Sequence, residues 1–264
     1  MEKEYILFID SGIGGLSTLA ETYKILPANY IYFSDNKNHP YGKHSRKEII
    51  DFLKQIINKV KQSFNIKIVV LACNTATTSA IESLRSFYPD LCFVGTEPAI
   101  KQACDSGFKN ILVLSTPVTA KQKKYNALKR RFSHAHIYTK SMKNLAHNIE
   151  AFYHASSPWF NLKVLKDLYD IKFSSKHFDV IVLGCTHYCL IKEDIEKFAG
   201  LSSISGNNGV SARVFDKFKQ FFDEKMTYNE ATCPIFLFSK PSNLLKQKYI
   251  KIFNQILANS ENVC

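Results

Sequence analysis

Val180-Ile181-Val182-Leu183-Gly184-Cys185-Thr186-His187-Tyr188 is a short apolar, β-branched run that stops at Gly-Cys-Thr-His, with helix-like sequence behind it. The same pattern stands earlier in the chain as Ile68-Val69-Val70-Leu71-Ala72-Cys73-Asn74-Thr75-Ala76. A continuous apolar run of this length fits a central parallel strand buried on both faces. Each run delivers a cysteine to its carboxyl end, where open α/β sheets bind their ligands. Two such cysteines in two similar units imply one pseudo-symmetric site served by both.

Working outward, strands alternate with helices. Tyr5-Ile6-Leu7-Phe8-Ile9 reads as a first strand and stops at Asp10-Ser11-Gly12-Ile13-Gly14-Gly15; residues 16–26 read as a helix that Pro27 ends. Tyr30-Ile31-Tyr32-Phe33 is a second strand, followed by a polar loop that holds Pro40-Tyr41-Gly42. Ser45-Arg46-Lys47-Glu48 has capping-box spacing, and Ile49, Leu53, Ile56, Ile57 and Val60 share one face of the helix behind it. After the Cys73 strand come a helix to about Tyr88 and a short strand, Cys92-Phe93-Val94.

There the pattern restarts. Thr96 can cap a helix with Pro98 in its first turn. Asn110-Ile111-Leu112-Val113-Leu114 is a strand ending in Ser115-Thr116-Pro117, and Thr119 with Gln122 offers a second capping box for a helix to about Arg131. Ile137-Tyr138 is a weak strand, and 141–175 reads as helix broken near Pro158. Beyond the Cys185 strand come helices over 191–198 and 210–222, a strand over 234–238, and a helix over 242–257 with Leu244, Leu245, Tyr249, Ile252, Phe253 and Ile256 apolar. The alternation predicts parallel sheets with helices on both faces. The likeness of 6–11 to 111–116, and of the two cysteine strands, predicts an internal duplication. Asp10 to Cys73 and Thr116 to Cys185 are its intervals, and the last strand and helix could join either half.

The whole chain is consistent with this. Its 264 residues suffice for one large or two small α/β domains, and 45% hydrophobic residues fit a globular core. No apolar run approaches the roughly 20 residues that cross a bilayer, and the Met1-Glu2-Lys3-Glu4 start lacks the features of a secretory leader. A cytoplasmic protein without a membrane partner is expected. Seven cysteines without a compact framework predict reduced thiols. The formal charge of +12 comes from lysines spread along the chain without a nucleic-acid motif, which predicts a solvated basic surface and no nucleic-acid partner. Such a surface can still draw small anions toward the protein.

A helix N-terminus next to each cysteine lowers thiol pKa and binds carboxylates; the alternative is an inert buried cysteine at a tight turn. The loop from Asp10 to Gly15 lacks the lysine and spacing of a P-loop and is not the dinucleotide fingerprint, so an amino-acid carboxylate or ammonium suits it better than a triphosphate. Asp10 could equally be a plain helix N-cap, and Pro40-Tyr41-Gly42 a plain type II turn. His187, two residues past Cys185, is placed to handle its proton. Cys185, His187, Cys189 and Cys73 could make four zinc ligands, but Cys-x-His-x-Cys is not a common knuckle and Cys189 suits packing, so no metal is expected.

Asp10-Ser11-Gly12 with Gly14-Gly15-Leu16, Pro40-Tyr41-Gly42, Ala72-Cys73-Asn74-Thr75-Ala76, 95–98 and Leu183-Gly184-Cys185-Thr186-His187-Tyr188 occur in one order. Together they resemble the glutamate racemases of the aspartate/glutamate racemase superfamily over most of the chain. The resemblance implies two pseudo-symmetric α/β domains, 1–96 plus 208–264 and 97–207, with the active site in the cleft between them. It implies cofactor-independent interconversion of L- and D-glutamate that supplies D-glutamate for peptidoglycan. On the matching positions Cys73 and Cys185 are the acid/base thiols, serving the D- and L-isomer respectively. Asp10, Ser11, Tyr41, Gly42, Asn74, Thr75, Thr116, Thr119, Thr186 and His187 are the substrate contacts, and Glu150 joins Asp10 and His187 as a catalytic assistant.

Two segments depart from the family pattern: 141–149, before Glu150, and Ser205-Gly206-Asn207-Asn208, where an acidic residue is usual. Neither touches the thiol assignment. Racemisation removes a weakly acidic α-proton from one face and returns a proton to the other, so one thiol must begin as thiolate. A free thiol, with a pKa of about 8.5, needs help to do that near neutral pH. The residues alone leave open a racemase of aspartate or another small acidic amino acid, and a Cys-His-Asp hydrolase built on Cys185 that would not need Cys73. They also allow a homodimer without deciding it.

Overall fold

The computed structural model describes residues 3–154, 158–222 and 232–261; Met1, Glu2 and Cys264, which entered the reading of the termini and thiols, lie outside the described residues. In chain order the elements are β1 (Glu4–Asp10), α1 (Leu16–Ile25), β2 (Tyr30–Ser34), α2 (Arg46–Lys61), β3 (Asn65–Leu71), α3 (Asn74–Phe87) and β4 (Cys92–Gly95). Then come α4 (Ile100–Asp105), β5 (Asn110–Ser115), α5 (Pro117–Lys121), α6 (Lys123–Arg131), β6 (His136–Ser141), α7 (Leu145–His154), α8 (Pro158–Ser174) and β7 (Val180–Gly184). The chain closes with α9 (Thr186–Cys189), α10 (Lys192–Ala199), β8 (Ser203–Ser205), α11 (Asn207–Phe221), β9 (Ile235–Phe238) and α12 (Asn243–Glu261). It forms two compact units, Met1–Thr96 with Asn207–Cys264, and Glu97–Gly206.

The first unit holds a parallel sheet in the order β4-β3-β1-β2-β9. The strands alternate their side chains between two apolar layers. Leu7, Ile9, Ile31, Phe33, Val69 and Leu71 pack with Ile49, Leu53, Ile56, Ile57 and Val60 of α2 and with Ala76, Ala80 and Leu84 of α3. The other face is aromatic: Tyr32 meets Phe236 and Tyr249, and Phe253 meets Tyr23 and Phe236. Both halves of the capping box at Ser45 and Glu48 form, so α2 starts where its spacing predicts. The last strand and helix belong to this unit, because β9 pairs in parallel with β2.

The second unit has a parallel sheet in the order β6-β5-β7-β8. Leu112, Leu114, Ile181 and Leu183 face α7, α8 and α10, while Ile111, Val113, Val180 and Val182 face α4 and α6. Without β9, the two sheets share one strand order: β1 and β5 are central, and each pairs with the following strand and with the strand that delivers a cysteine. Register sets the equivalence of residues. Ile9 aligns with Leu71 and Leu114 with Leu183, so Asp10 corresponds to Ser115, one residue before Thr116, where the sequence comparison began its interval.

Several local expectations are corrected. Thr96 caps nothing: α4 begins after Ala99 without a side-chain cap. The Thr119–Gln122 box does not form; Thr116 caps the separate one-turn α5, accepting from the Thr119 amide, and Gln122 merely precedes α6. Pro117 at the first position of α5 explains the shift, since its missing N–H and fixed φ suit a helix start there. Leu244 is exposed, although Tyr249, Ile252 and Phe253 on the same helix are buried. Strand β8 had no apolar run to announce it, because Ser203-Ile204-Ser205 is short and half polar.

Candidate active site

In the first unit the end of β1 turns sharply. Asp10 is fully buried, and the Gly12 amide donates to its Oδ1 at 2.8 Å. That carboxylate therefore braces the loop; the helix N-cap is Gly15 instead. The Tyr32 hydroxyl donates to the Gly12 carbonyl at 2.7 Å from below. Gly15 is required by close approach: a Cβ there would lie 2.8–2.9 Å from the Ala72 Cβ, the Asp10 Cβ and the Tyr32 hydroxyl. Next to this turn, β3 ends and Cys73 stands in extended conformation as the N-cap of α3, without a side-chain cap bond. Asn74 and Thr75, in the first turn, are buried. Among the described residues, the buried Asn74 Oδ1 has no hydrogen-bond partner.

The Pro40-Tyr41-Gly42 segment is not a type II turn: Tyr41–Lys43 form a 3₁₀ turn, and among the described residues no non-glycine residue has positive φ. Tyr41 is buried, and its hydroxyl donates to Asp35 Oδ2 at 2.8 Å. Burial above all, then Asp35 and the neighbouring Cys73 and Asp10, raise the Tyr41 pKa well above the phenolic range. Tyr41 thus stays a neutral donor in the same electrostatic neighbourhood as Cys73 and Asp10. A Cβ on Gly42 would meet nothing. Two side chains the sequence reading did not single out contribute: Asp35, which also accepts from the Asn38 amide, and His39, whose Nδ1 lies 3.4 Å from Ser11 Oγ. Neither has a spacing signal, since both are brought in by the loop's path.

In the second unit β7 ends at Gly184, which admits no side chain: a Cβ would stand 2.6 Å from the Leu114 carbonyl oxygen. Cys185 follows in extended conformation as the N-cap of α9. Cys185, Thr186 and His187 are all buried. Glu150 on α7 accepts from His187 Nε2 at 2.7 Å through Oε2. Burial works against a charged His187, but hydrogen bonds with Cys185 and Glu150 and their charges outweigh it, so its pKa lies well above the usual histidine value. An imidazolium is thereby held against the thiol. Just past the neighbouring strand, Thr116 donates its hydroxyl to Thr119 Oγ1 at 3.0 Å. Cys189 packs against the core of this unit.

The two thiols are supported differently. Helix α3 has 14 residues, so its N-terminus offers Cys73 an appreciable dipole. Helix α9 has four, too few for that, and the imidazole–carboxylate pair takes its place beside Cys185.

Two parallel α/β units of one strand order, each carrying a thiol from strand end to helix start, are the frame of an amino-acid racemase. Comparison with known proteins agrees. The model of the Asp/Glu/hydantoin racemase family matches residues 14–209. The glutamate racemase of Clostridium novyi is 35% identical over 262 residues, covering 97% of each chain, and glutamate racemase 2 of Bacillus subtilis is 32% identical over 260 residues, covering 94% and 93%. The crystal structure of the Escherichia coli glutamate racemase, described in complex with L-glutamate and the activator UDP-MurNAc-Ala, superposes with a TM-score of 0.83 at 26% identity over 96% of this chain and 95% of that one. The chain belongs to the Asp/Glu/hydantoin racemase family.

Proposed function

We propose that the protein interconverts L- and D-glutamate by direct proton transfer, with Cys73 and Cys185 acting on opposite faces of the α-carbon, and that the D-glutamate serves peptidoglycan synthesis. The observation that carries this reading is the repeated placement of a thiol at the N-cap after the equivalent strand of each sheet. A thiolate on one face takes the α-proton and becomes a thiol. The thiol on the other face gives its proton to the resulting carbanion and becomes a thiolate. Each turnover therefore leaves the pair with its charge exchanged, ready for the opposite isomer.

The neighbours fit these roles. His187, held by Glu150, stabilises the Cys185 thiolate; Asp10 is the acceptor for the Cys73 proton, with the α3 terminus supporting the thiolate. The helix-start amides next to Asn74 and Thr75 suit the substrate carboxylate, and the buried Asn74 Oδ1 suits its ammonium. Ser11, Tyr41, Gly42, Thr116, Thr119 and Thr186 complete the substrate contacts, and no cofactor enters the scheme.

The test is loss of optical rotation from L- and from D-glutamate with purified protein, aspartate alongside, before and after exhaustive chelation and hydroxylamine treatment. Equal approach to zero rotation from both glutamate isomers is expected, unaffected by either treatment. Turnover of aspartate alone would move the substrate assignment within the family, and activity restored only by added metal or pyridoxal phosphate would overturn the cofactor-free scheme. A second reading has one observation in its favour: a buried Cys185–His187–Glu150 set is also the constitution of a cysteine hydrolase. That enzyme would be indifferent to loss of Cys73.

A further inference from the structure

Glu150 has a second imidazole on its other oxygen. His187 Nε2 lies 2.7 Å from Oε2, and His154 Nε2 lies 2.8 Å from Oε1. Glu150 and His154 are four residues apart on α7, so the pair faces one side of that helix. The burial is graded along the chain of groups. The side chain of His187 is 4% exposed, that of Glu150 10% and that of His154 25%. A hydrogen-bonded line thus runs from the buried thiol of Cys185 to a partly exposed imidazole.

Bonding on both oxygens has consequences for protons and for rotamers. A carboxylate only accepts, so each Nε2 facing it carries hydrogen. A glutamate bonded on one oxygen can turn about its last torsion; one bonded on both cannot turn without breaking one bond. A commonplace surface pair of residues four apart would leave the glutamate in water. Here the glutamate is buried and its other oxygen is committed to the imidazole that touches Cys185.

We propose that His154 is a positioning residue for the reaction: by holding Oε1 it fixes the Glu150 carboxylate so that Oε2 holds the His187 ring oriented toward Cys185. Substrate is not touched by His154. Its influence passes through Glu150, and so falls on the half-reaction that uses Cys185 as base. Cys185 and Asp167 act on the neighbouring Tyr188, Asp167 itself being engaged by Asn148 of α7, and Asp194 acts on Tyr153. The inference rests on the racemase reading above for its kinetic part only.

The experiment uses the full chain with His154→Ala and His154→Gln. The first readout is the ¹⁵N spectrum of the His187 ring at fixed pH, which needs no substrate. The second is α-proton exchange in D₂O, run separately on L- and D-glutamate. His154→Ala should move the His187 ring signals and slow exchange of the Cys185-dependent isomer about tenfold, with KM nearly unchanged and the other isomer less affected. His154→Gln, which keeps an N–H donor at similar reach, should restore most of both. If His154→Ala does not fold, His154→Asn, too short to reach Oε1, carries the same expectation. Unchanged His187 signals and exchange in the Ala or Asn variant would overturn the proposal, as would a Gln variant no better than Ala. Failure of the racemase reading would appear differently: the unaltered protein would exchange neither isomer, while the His187 spectrum would still answer for the link between the two imidazoles.

Discussion

His187 concentrates the electrostatics of its unit in one ring. Its pKa is raised in the folded protein by Cys185 and Glu150 against the cost of burial, so the folded state binds a proton that the unfolded chain releases near pH 6.5. The stabilisation is complete below that unfolded value and fades as pH rises through the raised folded one. Unfolding free energy from urea titrations should therefore fall with rising pH above about 6.5, and His187→Gln should flatten that slope; an unchanged slope would contradict the imidazolium. Two glycines make a second residue-scale test. Gly184→Ala drives a Cβ to 2.6 Å from the Leu114 carbonyl, where backbone must move, whereas Gly42→Ala meets nothing. The first should cost about 1–3 kcal/mol and the second less than about 0.5 kcal/mol by urea unfolding. Catalysis is the better detector at Gly42, where the substrate contact proposed is the backbone.

Among the elements, α2 is set by its own spacing and α9 by its surroundings. Ser45 accepts from the Glu48 amide at 3.3 Å, and Glu48 Oε2 accepts from the Ser45 amide at 2.8 Å. Ser45→Ala should lower stability by about 1 kcal/mol without touching the thiols, read as a shift in urea midpoint at unchanged m-value. Helix α9 has a single turn, and what orients its first residues is the Glu150 contact from α7. The equivalence of the two sheets is therefore an equivalence of strands rather than of helices: α3 supports its thiol by length, α9 by the side chain it presents. The same contrast appears in α1 and α11, which meet through buried polar bonds, Thr18 to Asn207 at 2.9 Å and Thr22 with Ser211 at 3.0 Å. Asn207 opens α11, and its amide oxygen accepts inside the first unit.

For the molecule as a whole, the proposal divides the labour between units: each supplies one base. Cys73→Ser and Cys185→Ser keep the size of the side chain but put a far weaker base on one face. Each variant should lose racemisation by more than about 10³-fold, on the order of the loss of a general base with its partner thiol, yet retain exchange on one isomer. The two variants should show opposite preferences, Cys73→Ser favouring L-glutamate and Cys185→Ser favouring D-glutamate. Exchange in D₂O on each isomer measures this, and the same preference in both variants would contradict the two-base scheme. The formal net charge of +12 bears on delivery rather than chemistry: kcat/KM for the anionic substrate should fall with added salt more than kcat does.

Periodicity and apolar runs by themselves determined the parallel α/β class, the two cysteine-bearing strands and their duplication, because a strand buried on both faces must be apolar throughout and a helix beside it must be amphipathic. Motif order carried the family. What the tertiary structure decided is mostly polar. Asp10 braces a turn, Tyr41 is anchored on Asp35, Thr116 rather than Thr119 caps a helix, and His154 reaches Glu150 from the far end of α7. A hydrogen bond leaves no period in a sequence; its partner is chosen by where the backbone delivers each group. Burial then makes that choice matter, since Asp10, Tyr41, Glu150 and His187 are all buried and a polar group lost from water needs a partner within the protein.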